Sequence, residues 1–70
     1  MIDEDFVLVK VGDKDSITQF FKVYDKEGRF RGIVFGEERE DKAKEKWYRA
    51  FARFREKGRK SKDVFIWEER

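Results

Sequence analysis

From Glu37 onward the spacing of apolar residues changes once, from a period of two to a period of three and four. Ala43, Trp47, Ala50, Phe51 and Phe54 then share one helical face, the pattern of a helix laid on a sheet. No second stretch of this kind exists. A chain with one amphipathic helix can cover one face of a sheet and must leave the other without a helical layer. That second face either closes into a small core through strong twist or meets another molecule.

The segments before the helix read as strands. DFVLVKV at 5–11 is β-branched and apolar, and GDKD at 12–15 signals a turn. ITQFFKVYD at 17–25 is a second strand, KEGR at 26–29 a hairpin loop in which Gly28 can take positive φ, and FRGIVFG at 30–36 a third strand. Gly32 and Gly36 are placed to allow a bulge and a helix entry. The helix should end near Gly58, with Glu37, Glu38, Glu40 and Asp41 in its first turns and Arg53, Arg55 and Lys57 in its last, matching the macrodipole at both ends. DVFIWEE at 63–69 is a fourth strand. The expectation is an α+β fold: a single domain over 1–70 with an antiparallel β-sheet, one α-helix packed on one face, and the order β-β-β-α-β.

Phe20 and Phe21 stand side by side in the second strand, where neighbouring side chains point to opposite faces. Ile17, Phe21 and Val23 would look at the helix, and Phe20 and Tyr24 away from it. Phe65 and Trp67 in the fourth strand pose the same question.

The 70 residues include no Cys and no His. Disulfides, thiol nucleophiles, imidazole bases and the usual zinc sites are therefore closed to this chain. Asp13, Asp15 and Asp25 read as turn acids; the sequence lacks the remaining ligands and the closing Glu of a calcium loop, and its glycines do not form a phosphate loop. No catalytic residue, cofactor or metal is expected. Charged residues make up 49%, Asn is absent and Gln19 is the only Gln, a bias similar to that of hyperthermophile proteins. No apolar run approaches the roughly 20 residues needed to span a bilayer, and the MIDED start is acidic, so the expectation is a thermophilic cytoplasm, no signal peptide and no membrane.

The stretch KDSITQFF carries a resemblance. Lys14-x-x-Ile17-x-x-Phe20-Phe21 resembles the PIP box, Q-x-x-(I/L/M)-x-x-(F/Y)-(F/Y), by which replication and repair proteins dock on the sliding clamp PCNA. FFKV at 20–23 is similar to the clamp-binding tails of flap endonucleases, and Lys22 stands where archaeal versions often carry Lys. The match covers eight residues; in size and composition the whole chain also resembles the small PCNA-inhibiting proteins of Thermococcales archaea. The resemblance implies a non-enzymatic regulator, monomeric when free, that occupies the client pocket through Ile17, Phe20 and Phe21 with Lys14 and Lys22 as flanking contacts. It could also oppose assembly of the clamp trimer through differential affinity for the monomeric form. In one 3₁₀ turn, residues three apart eclipse, so Ile17 and Phe20 stack and Phe21 projects beside them. Lys14 replaces the family's Gln and can donate but not accept. Either residues 13–20 form the loop and pairing starts near Phe21, or the motif binds in an extended form.

A second reading comes from charge. Residues 42–62 carry ten basic and two acidic side chains, a net charge of +8. Lys44, Lys46, Arg49, Arg53, Lys57, Arg59, Lys60 and Lys62 could meet phosphates while sheet aromatics stack bases, the signature of a small nucleic-acid-binding domain. Three strands followed by a helix are also similar in architecture to AP2 and integrase N-terminal domains. The competing reading is a solvated helix face laced by Glu38–Lys42, Glu40–Lys44 and Glu45–Arg49 pairs. A basic helix could equally serve as a rim contact on the acidic outer surface that sliding clamps carry.

Overall fold

A computed structural model describes residues 5–12 and 19–67. Four strands and one helix follow the expected order: β1 (Phe6–Val11), β2 (Phe20–Asp25), β3 (Phe30–Phe35), α1 (Glu40–Lys57) and β4 (Val64–Ile66). They form one antiparallel sheet with spatial order β1-β2-β3-β4. Pairing along β2 begins at Phe20, which lies between Val11 and Phe35. That is one residue before the point expected for a loop over 13–20.

The helix lies on one sheet face, and the core sits between them. Ala43, Trp47, Ala50 and Phe51 are its buried residues, the face read from the spacing, with Phe54 partly buried beside them. They meet Phe6 and Leu8 of β1, Phe21 and Val23 of β2, Val34 of β3 and Val64 and Ile66 of β4. Trp47 is fully enclosed. Its indole stacks on Phe51 at 5.5 Å and meets Phe6 edge-on at 5.2 Å. Gly32 makes this seat possible, because a Cβ there would stand 2.1 Å from Phe65 O and 2.8 Å from Trp47 Cζ3.

The helix stops where expected. Gly58 adopts the left-handed conformation (φ 67°) and its N–H donates to Phe54 O at 2.8 Å, a C-cap that a residue with a Cβ makes at a cost. Its start differs. Arg39 is extended (φ −100°, ψ 137°), so Glu37 and Glu38 precede the helix and only Glu40 and Asp41 are the acids of its first turn. Glu37 instead pairs with Lys46 at 3.2 Å, and Glu38 O accepts from Lys10 Nζ at 3.0 Å. None of the three expected i,i+4 pairs forms among the described residues; Lys42 approaches Glu45 at 4.0 Å instead. Exposed pairs of this sort contribute little, so these side chains are free to remain solvated.

At the β2–β3 hairpin, Asp25 acts as a keystone. Its Oδ1 accepts from the backbone N–H groups of Glu27 and Arg29, both at 2.9 Å, and its Oδ2 accepts from Arg29 Nε at 3.1 Å. The N–H of Arg29, above all, holds the Asp25 carboxyl below its ordinary value of 3.8, against the opposing effect of burial. Directly after the hairpin the register shifts: Tyr24 faces Phe30 while Val23 faces Gly32, so Arg31 is an extra residue in a β-bulge. Its guanidinium lies 5.4 Å from the ring centres of both Phe6 and Phe51 and 3.7 Å from Asp25 Oδ2.

Two outcomes are expected. Gly32→Ala forces the Trp47 ring or β4 to move and should lower stability by about 1–3 kcal/mol, read from chemical denaturation; an unchanged midpoint would contradict the seat described above. Because Asp25 titrates lower in the folded than in the unfolded chain, its contribution is present above the unfolded value near pH 4 and is lost as pH falls through the folded value. The denaturation midpoint of the wild type should therefore exceed that of Asp25→Asn from pH 5 to 7, with the difference shrinking below pH 4.

Candidate docking surface

The sheet face away from the helix is built by the alternate residues of all four strands. Cross-strand register sets them in three rows: Val11–Phe20–Phe35, Val9–Lys22–Ile33–Phe65, and Val7–Tyr24–Phe30. Trp67 closes the third row, with its ring 6.2 Å from Phe30 and 6.3 Å from Phe65. Phe20 tilts against Phe35 at 6.1 Å, and Tyr24 meets Phe30 edge-on at 6.0 Å. These ring pairs shield one another without closing the surface. Val7, Val9, Phe35, Phe65 and Trp67 are 42–56% exposed, and Phe20, Lys22, Tyr24, Phe30 and Ile33 are half-buried. Lys22 is the only charged member of the three rows, and it forms no ion pair among the described residues.

The residues singled out in the motif separate on this scaffold. Lys14 and Ile17 lie outside the described residues. Phe20 and Lys22 belong to the open face. Phe21 is 2% exposed and packs in the core. Because β2 is paired on both sides, Phe20 and Phe21 sit in extended backbone and point to opposite faces of the sheet. A 3₁₀ turn that sends both rings into one pocket is not formed at these positions. Phe21 can contact a partner only if the start of β2 opens.

The basic residues lie elsewhere. Arg49 and Arg53 border a shallow groove between α1 and the start of β4, together with Lys46, Ala50, Ser61, Asp63 and Val64. Lys57 follows one turn beyond, and Arg59 and Lys60 are exposed after the helix. Lys46 is engaged by Glu37, by Asp63 at 3.8 Å and by Phe35 O at 3.4 Å. Arg49, Arg53, Lys57, Arg59 and Lys60 carry no ion pair among the described residues. This basic flank belongs to the helix layer, whereas the open aromatics lie across the sheet from it. A nucleic acid that met the basic helix with its phosphates and the sheet aromatics with its bases would have to pass around the sheet, which separates the two sets.

Among the described residues no cluster of three or more carboxylates is placed to hold a metal ion, and no helix is long and apolar enough to cross a membrane. No family model, curated protein or solved structure matches this chain. The surfaces themselves must carry the functional reading.

Proposed function

We propose that this protein is a small non-enzymatic regulator of the sliding clamp PCNA, docking through the PIP-like Lys14-x-x-Ile17-x-x-Phe20-Phe21. The observation that carries the reading is the placement of Phe20. It lies three residues after Ile17 and directly before Phe21 in the chain, its ring sits on the open face beside Phe35, and the surface that continues from it is apolar apart from Lys22. With the fold intact, Phe20 is the aromatic that a partner meets, and Phe21 holds the core that presents it. Ile17 and Lys14 supply the remaining contacts, and Lys22 borders them. A domain bound in this way occupies the client pocket and competes with polymerase, ligase and flap endonuclease. If its affinity is higher for the clamp monomer, it also shifts the trimer toward dissociation.

Phe20→Ala is the discriminating variant, because Phe20 lies outside the core. A folded Phe20→Ala protein should bind purified archaeal PCNA at least tenfold more weakly in calorimetric titration, as expected for a hot-spot ring. Equal affinity would remove the motif from the account.

A second reading rests on Arg49, Arg53 and Lys57, which form no ion pair among the described residues and are spaced four residues apart along one helix flank. Such a stripe suits a polyanion backbone and would bind DNA with strong salt dependence and little sequence preference. In mobility shift at about 150 mM salt, any DNA binding should vanish when these three are changed to Glu. No shift by the wild type would dismiss this reading.

A further inference from the structure

The open sheet face poses a problem of charge. Lys22 sits half-buried in its central row, between Val9 on one side and Ile33 on the other, with Phe65 beyond. An ammonium group so placed is solvated as long as the face meets water. Any partner that covers the face removes that water, and the charge then needs a counter-charge or the contact becomes unfavourable. The three rows offer none.

This constraint separates the possible occupants. A second copy docking face to face about a two-fold axis through the centre would bring one Lys22 against the other, a like-charge contact in a drying interface. A nucleic-acid strand would lay successive phosphates across a surface holding a single cation, with valines and an isoleucine between the rings. A protein surface that is apolar around one carboxylate satisfies every group on the face. Strand spacings of about 4.8 Å across and about 6.8 Å between rows make the face roughly 350 Å². A face of this outline is one part of the about 800 Å² per partner that a stable complex buries, so it extends a contact made elsewhere. Phe20 belongs both to the motif and to the first row, which joins the two.

We infer that the open face is a second docking surface for the clamp, receiving an apolar patch whose central Asp or Glu pairs with Lys22. This inference rests on the clamp reading above. It assigns Phe65 and Trp67, remote in sequence from the motif, as partner contacts, gives Lys22 at the edge of the motif a carboxylate to pair with, and makes the interface two-part: motif first, sheet face continuing from it.

The test titrates purified archaeal PCNA against four forms of the full chain: wild type, Phe65→Ser with Trp67→Ser, Lys22→Met and Lys22→Glu. The double variant should weaken binding at least tenfold. Lys22→Glu should weaken it more than Lys22→Met, because Glu repels the opposing carboxylate and Met only loses it. Equal affinity for the double variant overturns the inference while leaving the motif intact; Lys22→Met binding as tightly as wild type overturns it together with the flanking role of Lys22. Absence of any wild-type binding sinks both proposals together. Should the double variant fail to fold, the wild type decides the matter through fluorine-labelled tryptophan. The chain has two tryptophans, Trp47 enclosed and Trp67 half-exposed. The Trp67 resonance should shift and lose its solvent isotope effect on adding clamp, and the Trp47 resonance should not. An unmoved Trp67 signal in the bound state overturns the inference, as does dimerisation or oligonucleotide binding that draws on Trp67 in place of the clamp.

Discussion

The indole of Trp47 rests where a side chain on β3 would otherwise stand, and the distance between helix and sheet follows from that contact. Its Nε1–H has no hydrogen-bond partner among the described residues. An unpaired buried donor costs about 1–3 kcal/mol. Burying a ring of roughly 200 Å² at about 25 cal/mol/Å² returns about 5 kcal/mol, before the contacts with Phe6 and Phe51 are counted. Burial wins, so the orphaned donor is tolerated. Phe6 and Phe51 pack on the indole and the Arg31 guanidinium lies over those two rings, which gives an otherwise largely aliphatic core an aromatic centre.

One helix seated this way determines how the two sheet faces divide the work. The covered face consumes Phe21, one ring of the adjacent pair in β2, for stability. The uncovered face keeps the other and gathers rings from β2, β3 and β4 around a single ammonium group. Positive charge is concentrated on the helix layer, away from those rings. The molecule therefore has an apolar side and a basic side, and a ligand that reaches one does not automatically reach the other.

The element order, the buried helix face, the stop at Gly58 and the existence of an uncovered face were all legible, because each depends on local spacing or a single backbone requirement. Residues 17–25 already placed Phe21 and Val23 inward and Phe20 and Tyr24 outward. The consequence for the motif was harder to see: alternation that sends one ring outward also locks its neighbour into the core. The helix start was misread because acidic residues favour a first turn without specifying which one, and Arg39 stays extended while Glu37 reaches Lys46. The expected helix ion pairs failed for a related reason, since spacing permits such contacts and solvation leaves them weak. The bulge left one trace, Gly32, which does not reveal where the extra residue falls.

That extra residue changes the phase of β3. With strict alternation, Phe30 would share a side with Gly32 and Val34 and would collide with the helix layer; because Arg31 is inserted between them, Phe30 and Ile33 emerge on the same side despite their odd separation. A one-residue stutter thus converts what would have been an overfilled interior into an additional ring on the exterior. The aromatic surplus of this chain is therefore a matter of parity, set by one unpaired residue in β3 as much as by composition.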